Sequence, residues 1–405
     1  MTTEIEVLDS LPGTGKSHAI FDYMRQNQEK PWLYLSPMLT EIHDRVQAEA
    51  QRVGMEFYNP LGEDDIKSEE VLELLKLGVN IACTHALTLK FKKEHLEYLQ
   101  YMKYQIVCDE EMSLIDKYEI PKADMDFLKE QDLIEIDRDN LGRVHFSNKK
   151  MDYKAAYGRI KLLCDRGCLY AAKNSDAFLV TYVSPDIIFN ADRFILCTYN
   201  YQGSVMQAFL KLHGISDREM QGIDTFKKTD DVRKSLQDLI EFVETPSVIK
   251  IQEGCNLSKG WWSTHSDKAG TKKLKHSDVF KAIAATIRHT KTPVDQMFFT
   301  IPKDYLDKVP KSTISHKSFL SCNTKATNAY AHKTLAIHAF DLHPNVNVLS
   351  YLQSYGCTVD QEKYALNLLI QWLFRGCIRR GEKLKVAILS RRMNTIFKNW
   401  LVGQI

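Results

Sequence analysis

Short apolar runs recur along the first half of the chain, each followed by a stretch whose apolar positions return every three or four residues. Glu4 to Asp9 (EIEVLD) reads as a strand, and 16–28 as a helix. The same alternation follows in PWLYLS (31–36) and a helix over 40–54, then in NIAC (80–83) and a helix running to about Tyr98. YQIVCD (104–109) reads as a fourth strand. Strands separated by helical patterns imply right-handed crossovers and a parallel sheet.

Beyond that point the pattern changes. Residues 113–175 are dense in charge and read as a mostly helical insertion. RFILCTY (193–199) is a further buried strand. A second alternating region starts at Val248 (VIKI), continues at QMFFTI (296–301) and ends with LKVAIL (384–389). The fold class expected is therefore α/β, with two parallel-sheet lobes and a helical insertion. The first lobe is placed at 1–215, a polar linker at 216–245 and the second lobe at 246–405.

Composition narrows the classes. With 405 residues the chain is long for a single core, and 44% hydrophobic with 26% charged residues is ordinary for a globular protein. The net charge of +2, from 54 basic and 52 acidic side chains, excludes a uniformly basic surface and leaves room for a local basic groove. No apolar run reaches the roughly 18 to 20 residues of a membrane span. The acidic start MTTEIEVLDS lacks the basic segment of a signal peptide, so the cytoplasm is expected. The nine scattered cysteines read as reduced core thiols; Cys164 and Cys168 have no second pair at metal-ligand spacing.

The chemistry concentrates between a strand and a helix. Residues 10–17, Ser-Leu-Pro-Gly-Thr-Gly-Lys-Ser, form a P-loop in which Ser10 stands where a first glycine is common. Gly13 and Gly15 permit backbone conformations that turn successive N–H groups toward phosphate oxygens. Pro12, Gly13, Thr14, Gly15, Lys16, Ser17 and His18 are the expected nucleotide contacts. Lys16 would reach the β- and γ-phosphates, the Ser17 hydroxyl would ligate Mg2+, and the helix N-terminus adds positive potential. An acidic residue ending a buried strand should complete the site. Ile106-Val-Cys-Asp-Glu-Glu111 supplies Asp109 as a Mg2+ ligand through water and Glu110 as the general base polarising the attacking water.

The P-loop at 10–17, the Asp109-Glu110 pair and further stretches resemble the DEAD-like helicases of superfamilies 1 and 2, and among them the small helicase-like proteins of tailed phages. The resemblance implies two RecA-like lobes, ATP with Mg2+, and single-stranded nucleic acid, with DNA expected, in phage replication or recombination. YLSPML (34–39) stands where the family's motif Ia touches the nucleic-acid backbone, and THAL (84–87) matches another backbone-contacting element, which makes Ser36, Thr84 and His85 candidate contacts. Helix capping by Ser36 and Thr84 is the competing explanation. LCTY (196–199) matches the motif III position and adds Thr198; CNTKATN (322–328) matches a second-lobe segment and adds Thr327.

QWLFRGCIRRG (371–381) reads as a helix ending at Gly381, with Gln371, Arg375 and Arg379 on one face. It is similar to motif VI, in which a glutamine senses the γ-phosphate and arginines stabilise charge on the transferring group. The second arginine of that motif comes three residues after the first; here the interval is four, which favours Arg375 over Arg379. The nine residues before Ser10 leave no room for the upstream glutamine segment with which many helicases read adenine, so ATP rests on the resemblance. A basic stretch at 268–276 follows Trp261 and Trp262, which read either as base-stacking or as core residues. Two other classes use the same loop: a nucleotide-binding regulatory module acting on a protein, and a P-loop phosphotransferase with a small acceptor.

Overall fold

A computed structural model describes residues 4–61, 64–147, 157–173, 175–266, 273–324 and 329–405. The strands in chain order are β1 (Glu4–Asp9), β2 (Trp32–Ser36), β3 (Ile81–Thr84), β4 (Gln105–Asp109), β5 (Ile115–Tyr118), β6 (Ile134–Asp137), β7 (Arg143–Phe146), β8 (Leu169–Ala172), β9 (Ser175–Tyr182), β10 (Arg193–Thr198), β11 (Ser216–Glu219), β12 (Ile240–Phe242), β13 (Met297–Thr300), β14 (Leu335–His338) and β15 (Leu384–Ile388). The chain divides into two compact units. One comprises the stretch ending at Asp9, Ile20–Ile223 and Pro344–Asp360; the other comprises Ser10–Ala19, Asp224–His343 and Gln361–Ile405.

The first unit is built on a six-stranded sheet in the order β11-β1-β10-β4-β2-β3. Every pairing in it is parallel. Helices cover both faces, and alternate strand residues separate into two cores. Ile5, Val7, Leu33, Ile106 and Cys108 join one; Leu8, Trp32, Tyr34, Val107 and Cys197 join the other. Burial on both sides is why these strands read as continuous apolar runs. The carboxyl ends of β1, β10 and β4 lie side by side, with Asp9 opposite Thr198 and Cys197 opposite Asp109.

Three expectations fail in this unit. The insertion is organised by a five-stranded sheet, β5-β9-β8-β7-β6, with antiparallel pairings, and two helices, Lys122–Glu130 and Gly158–Asp165, complete it. Ile134 and Val144 alternate inward across a hairpin and pack with Leu128, Ile160 and Leu169, a period of two hidden under a high charge density. The supposed linker at 216–245 is divided: β11 pairs with β1 and β12 pairs with β15. Finally, the helix Val346–Ser354, far along the sequence, packs in the first unit, where the Tyr351 hydroxyl donates to the Leu141 carbonyl at 2.9 Å.

The second unit holds a four-stranded parallel sheet, β12-β15-β14-β13. VIKI, read as a strand, lies instead in the helix Pro246–Gly254, because Thr245 accepts from the Val248 amide as N-cap and Pro246 opens the first turn. Trp261 and Trp262 sit in the core of this unit with Val279, Phe280 and Met297, and are not available to stack on bases. Of the basic stretch beside them, 267–272 fall outside the described residues.

Candidate nucleotide site

The phosphate loop leaves β1 at Asp9 and enters a helix at Lys16, in the helix Lys16–Gln26. Asp9 itself is used structurally: its carboxylate accepts the amides of Asn200 at 2.8 Å and Tyr201 at 2.9 Å, fixing the turn after β10. Within the loop, the buried Thr14 hydroxyl accepts from Ser10 Oγ at 2.7 Å and donates to the Leu11 carbonyl at 2.9 Å. The Lys16 ammonium donates to the Ser10 carbonyl, which holds the charge back over the loop.

Gly13 and Gly15 lie at φ +86° and +90°, a region that side-chain-bearing residues rarely occupy. Their missing side chains also make room. A Cβ on Gly13 would stand 3.3 Å from the Phe374 ring, and one on Gly15 only 2.6 Å from the Phe226 ring. The loop is pinned further by Leu11, whose amide donates to Thr229 Oγ1, and by Thr14, whose carbonyl accepts from the Lys227 amide, both at 3.3 Å. Strand, left-handed glycines, lysine and helix start are the conformation that a triphosphate cradle requires. The donor set of the loop suits the group: backbone amides and an ammonium for phosphate, and the hard hydroxyl oxygen of Ser17 for Mg2+.

At the end of β4, Asp109 is buried, accepts from the Tyr34 hydroxyl at 3.1 Å and forms an ion pair with Arg45. Arg45 also binds Glu41 at 2.6 Å. Burial alone would lower the pKa of that guanidinium, but the Asp109 carboxylate beside it carries it above its ordinary value, so it stays charged. Burial and the same carboxylate push the Tyr34 phenol up, which keeps it a donor. Glu110 follows at φ +65°, left-handed for a residue other than glycine, with its amide donating to the Cys197 carbonyl at 2.9 Å and its carbonyl accepting from the Cys108 thiol at 3.3 Å. Strain of this kind is held where surrounding structure overrides it, and it gathers at functional positions.

The remaining candidates divide. The stretch expected as one helix to Gly381 breaks: a helix covers Gln361–Leu373, and after a turn a 3-10 segment covers Cys377–Arg380. Gly376 lies in the turn between them, where a Cβ would stand 3.1 Å from the Phe298 ring. The three residues therefore do not share a face. Arg375 is 8% exposed, next to Phe374, whose ring rests on Gly13. Gln371 is half-buried and donates to Asn367 at 2.9 Å, whereas Arg379 is exposed.

Thr84 caps the short helix His85–Thr88, accepting from the Leu87 amide, and borders a pocket of about 270 Å³ with Asn59, Lys67 and Lys90 in its lining. His85 Nε2 lies 3.7 Å from the Cys108 thiol. Ser36 is fully buried and donates to the Met38 carbonyl at 3.3 Å, and Thr198 is buried at the end of β10, so neither presents its hydroxyl at the surface for a nucleic-acid phosphate. Thr327 lies outside the described residues. Two residues of the site went unread in the sequence. Arg45 sits mid-helix with no motif around it, and Phe226 lies in a polar stretch taken for linker. Among the described residues, no group of three or more His, Cys, Asp or Glu side chains is placed to hold a metal ion, and no helix is long and apolar enough to cross a membrane.

Comparison with known proteins agrees with this architecture. Residues 234–401 match the model of the YonV C-terminal Rossmann-like domain, and residues 115–179 match that of the YonV middle domain. The latter span coincides with the antiparallel insertion. The SPbeta prophage-derived uncharacterized protein YonV of Bacillus subtilis (strain 168) is 25% identical, with 99% of each chain covered. Among solved structures, one named XPD_Helicase superposes at a TM-score of 0.53 over 99% of this chain and 94% of its own, at 10% identity. That likeness concerns the fold: the chain is a mixed α/β protein with two parallel sheets, and it is similar throughout its length to a prophage-derived protein.

Proposed function

We propose that this chain is a P-loop ATPase that moves along single-stranded nucleic acid, as a helicase or translocase. The observation that carries the reading is the loop 10–17: left-handed glycines at positions 13 and 15, with Lys16 folded over a helix N-terminus. An ordinary strand-to-helix turn has no use for two left-handed glycines and a lysine at the helix start; a triphosphate uses all three.

In this reading the loop amides and Lys16 would hold the phosphates, the Ser17 hydroxyl would ligate Mg2+, and Asp109 would bind it through water. The metal would neutralise charge on the β- and γ-phosphates. Glu110 accepts a proton from the attacking water; its strained backbone fixes where the carboxylate starts. Arg375 stabilises charge on the transferring phosphoryl group. Its support is the neighbouring Phe374, which packs on Gly13 within the same unit. Gln371 belongs to the same segment as a candidate γ-phosphate sensor, while exposed Arg379 has no such support.

Three features favour nucleic acid over a small acceptor. A second parallel-sheet unit exceeds what phosphoryl transfer to a small molecule requires. The fold is that of a helicase-named structure along nearly the whole chain. The pocket at Thr84 offers hydroxyl, amide and two lysine side chains, a donor set for backbone phosphates that carries no sequence information. The similarity to a prophage-derived protein favours a role in phage DNA metabolism.

The test is the ATPase rate against single-stranded DNA and RNA of increasing length. A translocase gives a rate that rises with strand length to a plateau. A rate that no strand of either kind raises would refute the motor reading and leave a nucleotide switch or a phosphotransferase.

A further inference from the structure

An aromatic ring stands beside the phosphate loop. Phe226 is 68% exposed, an unusual position for a phenylalanine. It is not on a loose loop. The flanking residues bond to the phosphate loop: the Lys227 amide donates to the Thr14 carbonyl, and Thr229 Oγ1 accepts from the Leu11 amide. Its ring lies against Gly15, in space that any side chain there would fill, and packs at a tilt on the His18 ring with centroids 4.5 Å apart. His18 is in the first turn of the helix that begins at Lys16. Two aromatic rings are thus held together beside the last residues of the phosphate cradle, one of them with most of its surface open to solvent.

We propose that Phe226, supported by His18, is the stacking platform for the base of the bound nucleoside triphosphate. The proposal rests on the reading of residues 10–17 as a phosphate site and adds the residue that receives the other end of the ligand. An open aromatic face anchored at fixed distance from phosphate-binding amides suits a planar ring joined to phosphates through a ribose. It binds through its π-face, and every base has one. A purine covers more of the ring than a pyrimidine, so the site prefers ATP and GTP over CTP and UTP and separates the two purines weakly.

The test compares ATP with inorganic tripolyphosphate, which has the phosphates and no base, each titrated with Mg2+ into the full-length protein. Phe226→Ala is expected to weaken ATP about tenfold, the effect of one stacked base, and to leave tripolyphosphate unchanged. Phe226→Trp, which keeps the platform, is expected to restore ATP affinity. The proposal is overturned if Phe226→Ala weakens both ligands equally, because the ring then supports the loop and not the base. It is also overturned if ATP binds the unaltered protein no more tightly than tripolyphosphate. If neither ligand binds the unaltered protein, the phosphate-site reading itself falls, a result distinct from the other two.

Discussion

Glu110 is the general base proposed here, and its backbone makes a separable prediction. At φ +65° a non-glycine residue costs about 1–2 kcal/mol relative to the right-handed region. Glycine adopts this conformation without that cost but gives up about 0.5–1 kcal/mol through the freedom it adds to the unfolded chain. The two variants Glu110→Ala and Glu110→Gly both lack the carboxylate, so they differ chiefly in this strain. Glycine is expected to be the more stable by about 1 kcal/mol, allowing for the fraction that the entropy term offsets. The strain is local to the joint between β4 and the turn behind it, where the Glu110 amide bonds to Cys197 of β10. Hydrogen exchange of β4 and β10 amides reads that region directly, and 1 kcal/mol corresponds to about fivefold more protection in the glycine variant. ATP turnover measured on the same proteins should be lost in both. Protection greater with alanine by the full entropy term, about 0.5–1 kcal/mol, would show that the conformation stores no strain. Turnover by Glu110→Gly at the unaltered rate would show that the residue is not the base.

Further outcomes follow from the site and the two cores. Arg375→Ala should lower kcat about 10³-fold or more while ATP binding persists, measured by steady-state hydrolysis and by equilibrium titration. Arg375→Lys serves as the folded control and should not recover the rate, since a point charge does not replace the guanidinium fork. Arg45→Ala leaves the buried Asp109 without its cation and should destabilise the first unit by about 2 kcal/mol in urea unfolding, a figure reduced for Arg45's partial exposure. Added Mg2+ should restore part of that stability if Asp109 is a metal ligand. His338 is wholly buried, with both ring nitrogens lacking a hydrogen-bond partner, and burial pushes its pKa down to about 3. The unfolded chain therefore takes up a proton near pH 6.5 that the folded one refuses. Stability falls as pH drops from about 6.5 toward 3, by roughly 2 kcal/mol at pH 5, and His338→Leu should flatten that part of the unfolding profile.

The candidate phosphate loop is legible in the sequence because its parts are local. Strand, glycines, lysine and helix start occupy 4–26 without interruption, and a three-residue apolar run, Ile106 to Cys108, delivers Asp109 to a strand end. What failed to show depends on burial and packing that the local pattern does not declare. Ser36 sits in the expected motif, yet its hydroxyl turns inward to Met38, and nothing in the local pattern distinguishes a donated hydroxyl from a presented one. The helix Val346–Ser354 joins the first unit through packing around Tyr351, a contact that no periodicity encodes. In the insertion, β6 and β7 alternate every two residues, but each strand is only four residues long and carries charge on its outer face, too little to outweigh the helical appearance of its surroundings. The helix through Arg375 was overextended because it ends at Leu373 and Gly376 sits in the turn beyond, close against Phe298, and a glycine inside a helical pattern does not by itself declare that position.

The central claim is that residues 10–17 cradle a triphosphate whose hydrolysis the chain catalyses. The most direct measurement is steady-state phosphate release from Mg-ATP by the unaltered protein and by Lys16→Ala, side by side in the presence of single-stranded DNA. The account predicts turnover that disappears with the lysine. Turnover that survives its removal, or none from the unaltered protein, would contradict it.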